Sequence, residues 1–525
     1  MNIILVYPEF PDTFWSFRYA LEFVGKRAAL PPLGLLTVAA MLPTEWSVRL
    51  VDANVRKLEQ TDLDWADCAF ISAMAVQRES ALEIITRCKE AGLRIVAGGP
   101  MFSDENEQCQ NVDHFVLNEA ELTLPSFLKD LELNHPQHIY SSDQFADLRQ
   151  TPTPRWELLD LKSYSGMSVQ FSRGCPFNCD FCSVTAMLGH NTRMKTSSQV
   201  IAELDGLYAL GWRGDLFFVD DNFIGNKKFL KADLLPALID WRKDKRGNTF
   251  YTEASINLAE DEPLMEMMVE AGFTKVFIGI ETPDENCLTE CRKLQNTKRD
   301  LLQDVKRIQR TGLEVQAGFI IGFDHDQTSI FQRQIDFIQR SGIVTAMVGL
   351  LQAWPGTRLY ERMKDEGRLC GGSSGDNVTG SINFRPAMDL NVLREGYRGI
   401  LRHIYSPKRY YQRIMTYLRN TKPSLATRSY LQLSDIRALL LSFWRLGIVG
   451  EARRQYWRLL LWTLFHRPRL LQQAVTLSIY CYHFKKICDR QINVTQAETS
   501  GKNPEIHVPG PDTISLELRP SNTVE

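Results

Sequence analysis

Ser172-Arg173-Gly174-Cys175-Pro176-Phe177-Asn178-Cys179-Asp180-Phe181-Cys182 is the stretch from which the rest of this 525-residue chain is read. Three cysteines stand at C-x3-C-x2-C spacing in one tight loop, directly after an apolar run over 167–171. Thiolates bind soft metals, and three this close in sequence can converge on one centre. A structural zinc usually takes four protein ligands. No fourth is obvious here, His190 being the best candidate. A 4Fe–4S cluster held by three cysteines instead keeps one iron open for a substrate or cofactor. The ligand count favours that cluster over zinc, and over three unrelated buried cysteines.

With the aromatic Phe181 just before the last cysteine, the spacing resembles the signature of the radical S-adenosylmethionine (radical SAM) superfamily. The resemblance implies that Cys175, Cys179 and Cys182 are the cluster ligands. It also implies that the open iron chelates the amino and carboxylate groups of SAM, and that Phe181 packs near the adenine. One electron, from a donor such as a flavodoxin or ferredoxin, would cleave SAM into methionine and a 5′-deoxyadenosyl radical.

Downstream, four helical patterns each end on a glycine and run into an apolar strand. They are Val200/Leu204/Leu207 before Gly211, Leu264/Met268/Ala271 before Gly272, Leu301/Val305/Ile308 before Gly312 and Phe331/Ile335/Ile338 before Gly342. A glycine after the last turn is the left-handed cap. The strands expected after them are 216–219, 276–280, 315–321 and 345–351, and 167–171 with 250–255 complete six βα units. A partial (β/α)6 barrel over 166–370 is the natural closure, with chemistry at the strands' carboxyl ends. Those ends are polar: Asp220-Asp221-Asn222, Glu253 and Ser255, Glu281 and, on strand five, Gly318 and Gly322. Singly, each suits a turn or a cap. By resemblance, Asp220, Asp221, Ser255 and Glu281 are candidates for the methionine and ribose groups of SAM, and Gly318 and Gly322 flank the adenine. Cys287 and Cys291 form a lone C-x3-C pair, read as structural, which leaves no second cluster of the methylthiotransferase kind.

Residues 1–135 alternate short apolar runs, expected as strands over 3–7, 48–51, 69–73, 94–97 and 114–117, with helical patterns. One such pattern places Leu82, Ile85, Cys88 and Ala91 on a helix face that Gly92 closes. This alternation predicts a doubly wound, Rossmann-like parallel sheet, whose ligands sit at the carboxyl ends of strands. Ala29-Leu30-Pro31-Pro32-Leu33-Gly34, Val51-Asp52, Gly98-Gly99-Pro100 and the acidic pair Glu119 and Glu121 resemble the cobalamin-binding domain of cobalamin-dependent radical SAM enzymes. The resemblance implies cobalamin contacts from Pro32, Gly34, Asp52, Ser72, Gly98, Gly99 and Glu119. The D-x-H-x-x-G motif, whose histidine binds cobalt from below, is absent; the only histidines before residue 150 are His114, His135 and His138. Cobalt without a protein imidazole is therefore expected.

A Pro-rich linker is expected over 136–165, a basic helical region over 371–494 and a polar, disordered tail over 495–525. From 401 to 490 stand 17 Lys/Arg against three Asp/Glu, interleaved with Trp, Tyr and Leu. Basic amphipathic helices of this kind suit an anionic bilayer surface, equally a solvated cap, and nucleic acid less well. The expectation is a peripheral enzyme on the cytoplasmic face, its barrel mouth presented to the membrane by this region. The net charge of −2 gives no global pull toward nucleic acid, and eleven cysteines in no disulfide-like pattern suit a reducing cytosol. No signal peptide or membrane span is read.

The whole arrangement resembles a cobalamin-dependent radical SAM methyltransferase, with methylcobalamin delivering a methyl group to an unactivated carbon. The opening Tyr7-Pro8-Glu9-Phe10-Pro11-Asp12-Thr13-Phe14-Trp15-Ser16-Phe17 and the basic region look like the subgroup containing hopanoid C-2 methylases, which implies a lipid or other hydrophobic substrate. A non-methylating isomerase or cyclase would share every motif. A cobalamin or redox sensor would bind the cofactors without turnover.

Overall fold

The computed structural model describes residues 1–376, 379–423 and 433–499. It is an α/β protein with two parallel six-stranded sheets and a helical carboxyl region. The first sheet contains β1 (Asn2–Tyr7), β2 (Ser47–Asp52), β3 (Cys68–Ser72), β4 (Arg94–Gly98), β5 (His114–Val116) and β6 (Ile139–Tyr140). Their spatial order is β2-β1-β3-β4-β5-β6. Ile3, Ile4, Leu5 and Val6 are buried to both faces, which a central parallel strand requires. The order reverses between β1 and β3, opening the crevice where doubly wound sheets bind ligands.

Two sequence expectations shift in this part of the chain. The segment read as a linker contributes β6, which pairs in parallel with β5. The helix Arg78–Glu90 buries Ala81, Ile84, Ile85 and Cys88, an i, i+3, i+4, i+7 stripe. Leu82 is exposed and Ala91 caps the helix, so the true apolar face is turned by one residue.

All six expected barrel strands form: β7 (Gly166–Val169), β10 (Asp215–Phe218), β11 (Thr249–Glu253), β12 (Phe273–Glu281), β13 (Glu314–Ile321) and β14 (Ala346–Leu350). They are parallel, in the order β7-β10-β11-β12-β13-β14. Between β7 and β10 the chain makes a small antiparallel hairpin, β8 (Ser172–Arg173) with β9 (Arg193–Met194). Leu264, Met268 and Ala271 are buried before Gly272, which takes φ 103° at the helix end. The helix Ile330–Ser341 buries Ile330, Gln334, Ile335 and Ile338, with Phe331 only packed against that core.

Strand alternation divides the barrel side chains cleanly. Leu216, Phe218, Phe250, Val276, Ile278, Ile280, Val315, Ala317 and Phe319 face the helices and are buried. Phe217, Tyr251, Lys275, Phe277 and Met347 face the lumen and keep accessible surface. Six strands do not close a barrel, and β7 and β14 are its unpaired edges. The chain after β1 fills the seam. Arg27 and Ala28 donate backbone hydrogen bonds to Ser163, and Gly166 donates to Ala29, along the β7 edge. At the β14 edge, Trp15 Nε1 donates to Met347 Sδ at 3.0 Å and the Trp15 ring meets Phe277 edge-on at 5.5 Å.

The helices Leu390–Ile404, Pro407–Asn420, Leu433–Ser442, Arg453–His466 and Leu471–Thr499 share one apolar core with the barrel. Gln473 donates to Glu314 Oε2 at 3.0 Å and to Tyr417 at 2.7 Å. Glu314 begins β13, so this region caps the amino ends of the strands. The expectation that this region presents the barrel mouth to a membrane does not suit its place, since the cluster loop lies at the other end of the strands. Not all its basic residues are outside either, since Arg413 is buried and donates to Gln339 and the Ile404 carbonyl. Helix continues through 499 into the expected tail; residues 500–525 lie outside the described residues. No helix among the described residues is long and apolar enough to cross a membrane.

Candidate active site

The cluster loop begins where β7 gives way to the hairpin. Gly174 has φ 90°, and a Cβ there would stand 2.7 Å from the Asn191 carbonyl oxygen, so only glycine admits the turn. The loop is pinned from three sides: Cys175 N to Gly189 O at 3.2 Å, Asp180 N to Cys291 O at 3.0 Å, and Leu359 N to Asp180 O at 2.9 Å. Cys175, Cys179 and Cys182 are partly exposed, whereas Cys287 and Cys291 are buried in an apolar cluster. Burial raises all three loop thiols, Cys182 to about 12, so their thiolates need a bound cation. Among the described residues no three His, Cys, Asp or Glu side chains close on a single metal ion. Three thiols on one loop are the ligand set of a 4Fe–4S cluster that keeps one iron open. His190 is exposed. Phe181 meets Phe323 edge-on at 6.3 Å, with Lys293 Nζ 5.9 Å from its ring centre.

Polar groups from four strands surround this loop, and they divide into two kinds. Asp220 is fully buried and spent on the chain itself: it accepts from Phe171 N at 3.2 Å, from Ser172 N, and from Ser172 Oγ at 2.5 Å. Burial lifts its pKa to about 7. Ser255 donates to Asn257 at 2.6 Å, and its N–H donates to Asn222 Oδ1 at 3.1 Å. Asn222 in turn bonds the Cys175 thiol. Glu281 sits at a bulge with φ 60° and pairs with Lys293. Gly279 leaves room for that pair, because a Cβ there would displace the ends of both side chains. Gly318 faces Phe277 in the lumen, and Gly322 takes φ 107° in the turn that Asp326 Oδ2 holds at 2.7 Å.

The second kind is only partly compensated. Burial raises Asp221 to about 6, against a backbone hydrogen bond from Gly174. Burial raises Glu253 to about 8, and Asp221 and Asp220 push it further. Among the described residues no donor hydrogen-bonds Glu253. A cleft holding such carboxyls has a deficit of positive charge that the ammonium and sulfonium of SAM would fill. Lys293, Asn222 and Glu253 were absent from the residues singled out for SAM. Asn222 and Glu253 carried a signal as polar residues at strand ends, whereas Lys293, twelve residues past Glu281, carried none.

At the carboxyl ends of the first sheet the implied cobalamin residues meet, with different tasks. A Cβ on Gly34, at the start of the helix Leu33–Met41, would meet nothing within 4 Å, and Gly34 is exposed, so backbone there is open to a large ligand. Pro32 caps that helix, and Ser72 is half-buried at the switch point. Gly98 and Gly99 are required by the fold itself: their Cβ atoms would stand 2.6 Å from Val116 O and 2.7 Å from Ser72 Oγ. Asp52 accepts from Asn54 at 2.7 Å and from Tyr164 OH at 2.9 Å. His114 starts β5 and bonds Gln137 O, and His138 bonds Asp113 O, both at the amino ends of strands and away from this crevice.

Glu119 departs most from a free ligand-binding carboxylate. Arg173 and Arg193, paired across the hairpin, both bridge to it at 2.8 Å, and Ala146 N donates at 2.7 Å. Glu121 takes the other arm of Arg173 at 2.8 Å and Thr151 at 2.9 Å. Arg173 holds the Glu121 pKa below its ordinary value despite burial. This network ties the first sheet to the residue immediately before the cluster loop.

Comparison with known proteins accords with this geometry. The radical SAM superfamily matches residues 169–338, the B12 binding domain 27–128, and a domain of unknown function 357–497. An uncharacterized methyltransferase of Synechocystis sp. is 41% identical over 92% of this chain and 91% of its own. The hopanoid C-2 methylase of Rhodopseudomonas palustris is 34% identical over 92% of both chains. Among solved structures, the cobalamin-dependent SAM radical enzyme OxsB with aqua-cobalamin and SAM bound superposes with a TM-score of 0.60 at 15% identity, over 95% of this chain and 80% of its own. The radical SAM methyltransferase TsrM from Kitasatospora setae, with cobalamin and a [4Fe-4S] cluster bound, gives 0.58 at 14% identity, over 94% and 99%. At these identities the structures speak for the fold.

Proposed function

Because the chain belongs to the cobalamin-dependent radical SAM methyltransferase family, we propose that it methylates C-2 of a hopanoid, a pentacyclic lipid. A 4Fe–4S cluster, SAM and cobalamin are its cofactors, and together they supply a hydrogen-abstracting radical and a methyl group. The observation that carries the substrate reading is the 34% identity to a hopanoid C-2 methylase over 92% of both chains, carboxyl region included. An apolar lumen lined by Trp15, Phe217, Tyr251, Phe277 and Met347 is in keeping with such a substrate.

In this reading Cys175, Cys179 and Cys182 hold the cluster. Asp221, Ser255, Glu281 and Glu253 orient the cationic end of SAM, Asp220 fixes the strand-to-loop junction, and Phe181, Gly318 and Gly322 frame the adenine. Pro32, Gly34, Ser72 and the Gly98–Gly99 turn shape the cobalamin crevice in residues 1–135, Asp52 and Glu119 acting through their partners. The barrel spans 166–370. Its walls exclude water from a carbon radical, which would otherwise be quenched.

A bilayer substrate requires docking, and we place it on the helices Leu433–Ser442 and Arg453–His466. Ten of the nineteen large apolar side chains exposed among the described residues fall between 433 and 465. Leu433, Ile436, Leu440, Trp444 and Ile448 recur every three or four residues on one face, and Trp457, Leu461, Leu464 and Phe465 continue it. Arg453, Arg454 and Arg458 are exposed beside them with no acidic partner among the described residues. Apolar insertion flanked by cations fits an anionic cytoplasmic leaflet. The test of the function is expression in a hopanoid-producing host that lacks a C-2 methylase. Hopanoids one methyl group heavier at C-2 are expected, and an unchanged lipid profile with soluble, cluster-loaded protein would contradict the reading.

A further inference from the structure

The barrel lumen ends in a pair of charges that the chemistry at the other end does not use. Asp215 and Lys275 occupy inward positions near the amino ends of β10 and β12, with Lys275 Nζ 3.1 Å from Asp215 Oδ2. Both lie deep in the protein, yet their side chains keep 44% and 20% of their surface accessible. Their neighbours on the helix-facing side, Leu216 and Val276, are sealed at 1% and 0%. Accessible surface on the inward side alone marks a hollow. Thr249 donates to Asp215, and Lys275 lies 5.3 Å over the Tyr251 ring, which stacks on Phe217 at 4.7 Å. Among the described residues, Asp215 is the hydrogen-bond acceptor of Lys275 Nζ, and no second one is found.

An ion pair that keeps this much accessible surface adds little to stability, so the fold alone gives no reason for it. Its neighbour in register, Glu314, is by contrast closed off by Gln316 and Gln473. Above the pair the lumen turns aromatic, with Trp15 against Phe277. Further up it reaches the Glu281–Lys293 pair beside the cluster loop. Lys275 and Glu281 are six residues apart on β12, about 20 Å at about 3.3 Å per residue. Five fused carbocycles advance about 2.5 Å per ring on single bonds of about 1.5 Å, roughly 13 Å in all. The span along β12 is therefore longer than a rigid five-ring polycycle, enough to separate a reacting end from an end at the ion pair.

We propose that Asp215 and Lys275 form a distal polar anchor, binding a hydroxyl or similar hydrogen-bonding group at the end of a rigid apolar substrate opposite to the methylated carbon. The anchor rests on the hopanoid reading and sets how deep the substrate sits. A hydroxyl accepts from Lys275 Nζ and donates to Asp215. An apolar end in the same place would strip water from both charges and return nothing.

Competition between two hopanes, one with a hydroxyl at the side-chain end and one without, tests the proposal in the loaded enzyme. Wild type is expected to prefer the hydroxylated hopane about ten- to a hundredfold in kcat/KM, the range of a hydrogen bond to a charged group. Asp215→Leu/Lys275→Met, which removes both charges together, is expected to lose at least tenfold of that preference. If this double variant does not load its cluster, Lys275→Gln provides the same ratio. A preference unchanged in a cluster-loaded variant, or absent in wild type, overturns the anchor and leaves the hopanoid reading standing. Wild type acting on neither hopane overturns that reading and the anchor with it.

Discussion

Replacing Glu253 by Gln separates what this carboxyl costs the fold from what it contributes to binding. Burial raises it from 4.5 to about 8, with Asp221 and Asp220 adding repulsion and Lys293 opposing. Each unit is worth about 1.4 kcal/mol, and sharing the effect among coupled neighbours leaves a penalty on the order of 3 kcal/mol. The folded state here holds its proton more tightly than the unfolded one. The penalty is therefore absent below about pH 4, grows as pH rises, and is complete above about pH 8. Glu253→Gln should raise the barrel's thermal transition, without SAM, by roughly 6–12 °C at about pH 8.5, taking about 2–4 °C per kcal/mol for a domain of this size. At about pH 5 the gain should nearly vanish. Calorimetry of the reconstituted protein at both pH values measures this, and added SAM should stabilise wild type more than the variant. A variant less stable than wild type at the higher pH, or a gain equal at both, would refute the reasoning.

Four further outcomes are expected. Cys179→Ala should abolish both the iron–sulfur absorbance and SAM cleavage, while Cys287→Ala, buried against Asp326, keeps the cluster; normal SAM cleavage in Cys179→Ala would contradict the ligand assignment. Cob(II)alamin bound to the protein should show no nitrogen coupling from a protein imidazole in electron paramagnetic resonance, since His114 and His138 sit at the wrong strand ends. Arg193→Met leaves Glu119 short of one cation; breaking such a pair costs about 3–5 kcal/mol, and 5′-deoxyadenosine should accumulate in excess of methylated product at full cluster content. Anionic liposomes should sediment wild type in a salt-sensitive way and release a variant with Trp444, Leu461, Phe465, Arg454 and Arg458 replaced by Ser; equal behaviour of the two would remove the docking face.

The barrel was legible because its periodicity is local. Each helix stripe ends on a glycine that takes positive φ, as at Gly272 and Gly312, and each apolar strand follows within a few residues. Charge partners were not legible, because they arise from contacts across long separations. Glu119 reads as a loop acid at the end of a strand, and nothing near it in sequence announces Arg173 and Arg193, 54 and 74 residues away. The seam-filling role of Trp15, 332 residues from Met347, is equally silent in the sequence. Gly98 and Gly99 mislead in another way: a glycine pair at a strand end signals close approach, without saying whether of ligand or of the chain's own Val116 and Ser72.

The central claim is methyl transfer to an unactivated carbon, driven by SAM used in two ways. Purified, reconstituted enzyme given a reductant, cobalamin, a hopanoid and SAM with a trideuterated methyl group tests it most directly. The account predicts a product carrying the intact trideuteromethyl group, with 5′-deoxyadenosine and S-adenosylhomocysteine formed in equal amounts to it. Formation of 5′-deoxyadenosine with a rearranged or unmethylated product, and no label in the lipid, would contradict it.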